Sequence, residues 1–524
     1  MNKPTLYRIL SIALVLVLTA PVIARDMTRE ERLADFEQAV GLLRSSYGMI
    51  EYKKQTQGID FDKAVATFRA KIRAVAKDNE FYDLMSAFIA GFKDAHLNHS
   101  RPSTMSARLG FGVNRIEGKA IITEIGPALT YDLFPFAVGD ELVSLDGKPV
   151  ATLVRERLPF YSNAREESLL NFVTGTLPYR SGWSGAVPTG MCKVEIRPRG
   201  ATETVTLDLA WIVRGKPLPG LSFYNNSPKK YPLDPSTWRP DLFVNPLAAA
   251  RATACTTPAW APDEKKRSLP TEEFAACTFK TEKGSIGYVR IPSFMPDDAT
   301  SAVEEFKKLM MSMSKTSGLI IDLTDNPGGS LYYMMAILSM LTEKPLAMPL
   351  VSDRASRRVL NGCREWAGQE SNPSIRASLE NHALAIEKAM EQGLEMTSPS
   401  TVFGSIVAPS QEVRYTKPIV VLINDQCYSC GDIFPAILQD NKRAVLFGTT
   451  TAGAGGSVNT YGPLAYSGSS ISITETLMKR TNGTYIENVG VSPDITFEIT
   501  QDDAATGYGA YRQAYIDALL KLIP

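Results

Sequence analysis

The chain has 524 residues, which is too long for a single hydrophobic core and predicts two or three domains. Apolar residues make up 44% and charged residues 21%, as in an ordinary globular protein. The 56 Lys and Arg balance the 56 Asp and Glu, so the composition excludes a strongly basic nucleic-acid-binding protein. The six cysteines are too few for a disulfide scaffold of this length, although export would permit a bridge such as Cys255 to Cys277.

Residues 1–24 have the pattern of a secretory signal peptide. Lys3 and Arg8 precede the 12-residue apolar run from Ile9 to Ala20, and a cleavage site follows at Ala24. An uncleaved membrane anchor is the alternative, but this run is short for a span that needs about 20 residues. We therefore predict an exported protein, periplasmic or secreted, with no membrane span after signal cleavage.

The next two regions differ in their periodicity. Residues 25–104 repeat apolar side chains at helical spacing and predict a helical N-terminal subdomain. Residues 105–213 change to short β patterns, and the string from Gly139 to Val150 resembles the PDZ-domain signature of a Gly-Asp turn, a strand and an Asp-Gly hairpin. This resemblance places a carboxylate-binding loop at residues 109–112, which would bind a peptide C-terminus. A purely structural insert is an equally weighted alternative.

Residues 214–275 predict a linker, a lid or an inhibitory segment. Ten prolines between residues 214 and 272 interrupt any long helix or strand. Aromatic and leucine side chains in the same region indicate that it docks on the rest of the protein.

From residue 276 to 524, strand and helix patterns alternate and predict an α/β domain, with a helical insertion at residues 370–396. The apolar strand from Ile419 to Ile423 leads to a tight turn that holds Ser429, and a helical pattern follows at once. A serine in such a turn projects its hydroxyl beside free backbone N–H groups, as a nucleophile requires. On local sequence alone, a serine that caps the helix is the stronger interpretation.

Four further segments follow one another in the α/β region, at residues 326–342, 427–441, 451–456 and 485–495. Together they resemble family S41, the C-terminal processing (tail-specific) serine proteases, and most of all the branch of chlamydial protease-like activity factor. This resemblance implies an α/β catalytic domain of ClpP/crotonase-like type with an inserted PDZ-like domain. It also implies serine endopeptidase activity on protein or peptide substrates, without a cofactor or metal, and leaves a homodimer open.

One departure from the family changes the expected mechanism. The general-base lysine of the Ser/Lys branch is replaced by Ala454, and Lys442 fits a solvated turn. The Ser/His branch instead implies His96 as the base for Ser429 and Glu487 as the residue that orients the imidazole. An imidazole base predicts a rate that falls as the pH drops through about 6 to 7.

The remaining candidates are less favoured. Among the other histidines, His99 is a weaker base candidate and His382 fits a helix surface. Asp94 is the alternative orienting group, Asp432 could cap its own helix, and Ala95 stands where tricorn-type tetrads have a serine.

The expected oxyanion donors are the backbone N–H groups of Gly328 and Cys430, with Gly329 as the alternative to Gly328. Rival hypotheses are an inactive S41-fold peptide-binding protein, a thiol nucleophile or redox pair at Cys427 and Cys430, and a PDZ-type adaptor.

Overall fold

The computed structural model describes residues 26–217, 260–262, 267–269, 273–401 and 406–524. The predicted signal peptide, Cys255 and most of the proline-rich segment lie outside these residues. Within the described ranges, no helix has both the length and the apolar character needed to cross a membrane.

Four helices form the N-terminal subdomain, as predicted. They are α1 (Arg29–Ser46), α2 (Ile50–Gln57), α3 (Phe61–Ala74) and α4 (Asp78–Ala90). Helix α1 begins with a capping box in which the Thr28 hydroxyl accepts the Glu31 N–H and the Glu31 carboxylate accepts the Thr28 N–H. The apolar helix faces meet in an aromatic core, where the ring centroids of Phe36 and Phe88 lie 5.1 Å apart.

The β-rich insertion has its own sheet and core. Strand β1 (Asn98–Ser100) precedes this insertion, whose elements are β2 (Ser106–Arg108), β3 (Phe111–Ile116), β4 (Lys119–Ile125), β5 (Glu141–Leu145), β6 (Lys148–Pro149), α5 (Val150–Arg157), α6 (Glu166–Gly175), β7 (Tyr179–Ser181), β8 (Met191–Arg197), β9 (Val205–Ala210) and β10 (Ile212–Arg214). The main antiparallel sheet has the order β3-β4-β5-β8-β9, with β6 added to β5, so β3 is an edge strand. Asp146 and Gly147 have φ of 51° and 72°, as the predicted Asp-Gly hairpin requires.

The C-terminal region is an α/β domain. Its elements are β11 (Arg267–Leu269), β12 (Ala275–Thr281), β13 (Gly284–Arg290), α7 (Ala299–Ser312), β14 (Gly318–Asp322), α8 (Leu331–Ser339), β15 (Leu346–Ala347), β16 (Leu350–Asp353), α9 (Arg357–Gln369), α10 (Pro373–Glu391), β17 (Ser400–Thr401), β18 (Ile406–Val407), β19 (Ile419–Ile423), α11 (Cys430–Asp440), β20 (Val445–Gly448), β21 (Val458–Tyr461), β22 (Ser470–Thr474), β23 (Thr476–Lys479), β24 (Ile495–Thr496), α12 (Gln501–Ala505) and α13 (Gly509–Leu522). The predicted helical insertion is the pair α9 and α10.

The central sheet has the order β11-β12-β13-β14-β19-β20-β24, and its strands from β13 to β24 run parallel. Helices cover both faces, so the strands are apolar on both faces. In β19, Ile419 and Val421 pack in the core under α7, α8 and α11, whereas Val420 and Leu422 pack against α13. This alternation follows from the two-residue period of a strand.

Contacts between distant segments attach the helical subdomain to the α/β domain. Strand β1 pairs antiparallel with β22, so the chain enters the α/β domain directly after His96. On α1, the fully buried Asp35 carboxylate accepts the N–H groups of Tyr466 and Ser467 at 2.9 and 2.6 Å. Burying these groups without a partner is costly, so this carboxylate fixes where the subdomain docks.

We expect Asp35→Ala to destabilise this docking. It leaves two buried N–H groups without an acceptor, which costs about 1–3 kcal/mol for each group. Urea unfolding followed by circular dichroism should show a lower midpoint. The control is Gln38→Ala on the same helix, because Gln38 is exposed and accepts the neighbouring Ala465 N–H at 3.1 Å. Equal midpoints for the two variants would contradict this role of Asp35.

Candidate active site

Three loops meet at the carboxyl edge of the parallel sheet. They follow β14, β19 and β20, which are neighbours in the sheet order. Ligands and reacting groups of open α/β sheets typically lie at this edge. The Tyr428 N–H donates to Asn326 O, and the Ala452 N–H donates to Cys427 O, both at 2.9 Å, so backbone hydrogen bonds hold the three loops together.

Ser429 is the residue that precedes α11, and it has a strained backbone. Its φ is 57° and its ψ is −118°, a conformation that non-glycine residues seldom adopt. Its side chain makes no capping hydrogen bond to the helix. The capping interpretation is therefore not supported, and the half-buried hydroxyl sits at a helix N-terminus, where backbone N–H groups favour negative charge.

Glycine is required beside the serine. Gly328 has φ of 90°, and a Cβ at this position would lie 2.5 Å from the Ser429 Cβ. The Gly328 N–H donates to Asn326 Oδ1 at 2.8 Å, so in this structure it is not available as the predicted oxyanion donor. The N–H groups of Gly329 and Cys430 donate to no acceptor in the described part of the chain. They are the two backbone donors that remain.

Asp432 holds the glycine-rich loop that follows β20. Its fully buried carboxylate accepts the Thr451 hydroxyl, the Gly453 N–H at 2.9 Å and the Ala454 N–H at 3.1 Å. Burial raises the pKa of Asp432 to about 7, and these hydrogen bonds oppose the rise. The hypothesis that Asp432 caps its own helix missed this role.

His96 lies against the residue that precedes the serine. The side chain is buried, and its ring centroid is 5.3 Å from that of Tyr428 in an edge-to-face arrangement. The Asp94 carboxylate accepts the backbone N–H groups of His96 and Leu97, so it shapes the loop that carries the imidazole. Burial lowers the pKa of His96 to about 4, while the Asp94 carboxylate raises it. The imidazole is therefore neutral at pH 7, as a general base must be.

Glu487 is fully buried and pairs with Lys53, a residue that the sequence analysis did not single out. Its Oε1 accepts the Lys53 ammonium, and its Oε2 accepts the Gly455 N–H at 3.3 Å. Among the described residues, its carboxylate makes no hydrogen bond to His96. Burial raises the pKa of Glu487 to about 8, the Asp94 carboxylate adds to this rise, and the Lys53 ammonium lowers the pKa.

The less favoured candidates occupy other environments. His99 is buried in the helical subdomain with its Nδ1 3.0 Å from Ser86 Oγ. The prediction that His382 is a surface residue was wrong, since its Nδ1 lies 2.9 Å from Asp353 Oδ2 and only 12% of its side chain is exposed. Lys442 is exposed, as predicted.

The two cysteines beside Ser429 are poor thiol nucleophiles. Burial raises the pKa of Cys430 to about 12 and that of Cys427 well above its ordinary value. Their thiols donate to backbone carbonyls, Cys427 to Leu323 O at 3.0 Å and Cys430 to Gly329 O at 3.1 Å. Reactive cysteines have lowered pKa values and partial exposure, so both features oppose a thiol mechanism.

Comparison with known proteins shows which domains this chain contains and which solved structure it resembles. Residues 285–497 match Peptidase family S41, and residues 105–221 match a PDZ domain. The structure superposes on the crystal structure of mature CPAF with a TM-score of 0.78 and 26% identity, covering 94% of this chain and 98% of that chain. The protein is a serine-type peptidase whose residues 285–497 form a peptidase family S41 domain. The predicted fold class and family resemblance are thereby confirmed.

The sequence relatives of this peptidase include two kinds of match. A Chlamydia muridarum protein is 29% identical over 96% of this chain and 95% of its own length. The carboxy-terminal-processing protease of Bartonella bacilliformis is 27% identical, but over only 43% of this chain and 42% of its own length. Similarity to the first therefore spans the helical, PDZ and peptidase regions together.

The PDZ domain contacts the loops of the candidate active site directly. From the N-cap position of α6, the Arg165 guanidinium donates to Thr450 O and Thr451 O at 2.9 and 2.8 Å. Asn171 Nδ2 donates to Asp425 Oδ1 at 3.0 Å, four residues before Ser429. Together with Lys53 and Asp432, these are the site residues that sequence reasoning missed.

We expect Asp432→Ala to displace the glycine-rich loop of the S41 domain. Each buried donor that loses its acceptor costs about 1–3 kcal/mol. Displacement by about 1 Å can reduce a catalytic rate roughly 100-fold. The measurement is the rate at which a peptidyl phosphonate labels Ser429. Asp432→Asn keeps one acceptor oxygen and should lose less, so equal rates in the wild type and Asp432→Ala would contradict this role.

Proposed function

We propose that this protein is an exported endopeptidase that cleaves protein substrates through Ser429, His96 and Glu487. Ser429 is the nucleophile, His96 is the general base and Glu487 supplies the carboxylate of the constellation. The observation that carries this proposal is the strained, uncapped Ser429 at a helix N-terminus, with a neutral His96 packed on the adjacent Tyr428. Export rests on the pattern of residues 1–24.

The reaction that follows is acyl transfer. His96 accepts the proton of the Ser429 hydroxyl as its oxygen attacks the peptide carbonyl carbon, and a tetrahedral oxyanion forms. The imidazolium then returns this proton to the leaving amine, which leaves an ester on Ser429. Water, deprotonated by His96, hydrolyses the ester and releases the carboxyl product.

The oxyanion needs two donors aimed at one point. The Cys430 N–H is the first, since it begins α11 and donates to no acceptor in the described residues. The Gly329 N–H is the better second donor in this structure, because the Gly328 N–H already donates to Asn326. Use of Gly328 would require that hydrogen bond to break.

Glu487 approaches the imidazole only through a change of partner. In this structure its carboxylate is held by Lys53 and Gly455. Its charge nevertheless acts on Tyr428, whose pKa is raised by burial first and then by the Asp94 and Glu487 carboxylates. Once it reaches the His96 ring, the Glu487 carboxylate stabilises the imidazolium that forms during attack.

The test of this function is proteolysis of an unfolded protein and a peptide library by wild type, Ser429→Ala, His96→Ala and Glu487→Gln. We expect cleavage by the wild type and losses of roughly 10⁴-fold or more for the serine and histidine variants. Wild type that cleaves no substrate and forms no phosphonate adduct would favour the inactive peptide-binding alternative.

The pH dependence separates the two titrating groups. Both His96 and Glu487 must be in their basic forms, and Glu487, with a pKa of about 8, has the higher value. We therefore expect the wild-type rate of Ser429 labelling to increase with pH through about 8, not through the range of 6 to 7 that a solvated imidazole predicts. The residual rate of Glu487→Gln should instead decline only near pH 4. A wild-type midpoint between 6 and 7 would contradict the buried geometry.

A further inference from the structure

Lys53 is a buried ammonium for which the proposed reaction has no use. It lies on α2, and 1% of its side chain is exposed. A buried ammonium is strongly unfavourable unless every donor is paired. Its three N–H groups find three acceptors, namely Glu487 Oε1, Asn488 Oδ1 at 2.7 Å and Lys93 O at 2.8 Å. Such complete pairing indicates a built site.

The three acceptors belong to the two loops that carry the proposed reacting groups. Lys93 comes directly before Asp94, whose carboxylate shapes the His96 loop, and the other two acceptors are Glu487 and its neighbour. Lys93 and Asn488 both have positive φ, 52° and 61°, a conformation that residues other than glycine seldom adopt. Lys53 therefore joins the histidine loop to the glutamate loop.

Hydrogen bonds of Tyr52 and Asn488, the neighbours of Lys53 and Glu487, also support the link between the histidine loop and the glutamate loop. The hydroxyl of Tyr52, the preceding residue on α2, donates to Glu487 O at 2.7 Å. Asn488 Nδ2 donates to Lys93 O at 2.9 Å and to Ala164 O at 2.7 Å. One turn of α2 thus holds both the side chain and the backbone of Glu487.

Besides joining the two loops, Lys53 acts on the ionisation of the Glu487 carboxylate. The titratable groups that act on this carboxylate or respond to it are Lys53, Asp94, Tyr47, Tyr52 and Tyr428. Of these, only Lys53 carries a positive charge at neutral pH. Its ammonium favours the ionised carboxylate, which the proposed reaction requires.

We propose that Lys53 is a positioning residue of the active site, whose ammonium favours the ionised form of Glu487 and fixes the Glu487 loop against the loop that carries His96. This inference rests on the proposed function. Lys53 touches neither Ser429 nor a substrate, and it acts through Glu487.

The experiment compares wild type, Lys53→Met, Lys54→Met, Glu487→Gln and the Lys53→Met/Glu487→Gln double variant of the full chain. Lys54 is the matched control, since it is the next residue on α2 and is exposed. The readouts are the second-order rate of Ser429 labelling by a peptidyl phosphonate between pH 5 and 10, and thermal unfolding by circular dichroism.

We expect Lys53→Met to label at least about tenfold more slowly than wild type at pH 7, since removal of the ammonium raises the pKa of Glu487. Its pH profile should move upward by about one unit or more, and the rate at high pH should recover part of the loss. Lys54→Met should retain the wild-type rate and profile. In the Glu487→Gln background, Lys53→Met should change the rate less than about threefold, since coupled groups are not additive.

The outcomes that overturn the inference are distinct from those that overturn the proposed function. If Lys53→Met folds and keeps the wild-type rate and pH profile, the positioning role of Lys53 is rejected, whereas the proposed function is not affected. A loss of about tenfold or more on adding Lys53→Met to Glu487→Gln would also reject that role, because Lys53 would then act independently of Glu487. This second comparison stays informative if the single lysine variant fails to fold. A wild-type rate in Glu487→Gln would reject the proposed constellation itself.

Discussion

The buried pair of Lys53 and Glu487 is the contact on which the rest of the active site depends. Ser429 belongs to the α/β domain and His96 to the end of the helical subdomain, more than 300 residues earlier in the chain. Their distance is therefore set by how the two regions dock. Lys53 donates hydrogen bonds to Lys93 of the helical subdomain and to Glu487 of the α/β domain, so it contacts both sides of the junction between them. Asp35 attaches another part of the helical subdomain to the α/β domain.

Buried charges of this kind add specificity more than stability. Desolvation of an ammonium and a carboxylate offsets much of their attraction, and an apolar pair of similar shape is often as stable. The arrangement instead penalises any docking in which either group lacks its partner. The same logic applies to Asp432, whose carboxylate is satisfied only when the glycine-rich loop stands beside α11. Both devices specify geometry at the place where a small displacement would be most damaging to catalysis.

Local patterns predicted much of this fold. The alternation of strands and helices gave the α/β domain, the Asp-Gly turn gave the PDZ hairpin, and the strand-to-helix turn pointed to Ser429. These features depend on residues close together in sequence. His96 was found only through the Asp-x-His motif of a related family, because its partner residues come from distant segments.

Long-range pairing explains what the sequence did not show. Lys53 and Lys54 are adjacent and chemically identical, and only the fold decides that one is buried and the other exposed. His382 resembled a surface residue until β16 placed Asp353 beside it. The direction of one amide favours Gly329 over Gly328 in the proposed oxyanion site, since the Gly328 N–H donates to Asn326 Oδ1. Such choices depend on orientation, which composition and spacing do not encode.

The central claim is that Ser429 is activated within this buried junction by His96. Its most direct measurement is peptide mapping by mass spectrometry after reaction with a peptidyl phosphonate, in wild type and in His96→Ala. The account predicts an adduct on Ser429 in the wild type, and a much slower one in His96→Ala. An adduct on Cys427 or Cys430, or equal labelling of Ser429 in both proteins, would contradict it.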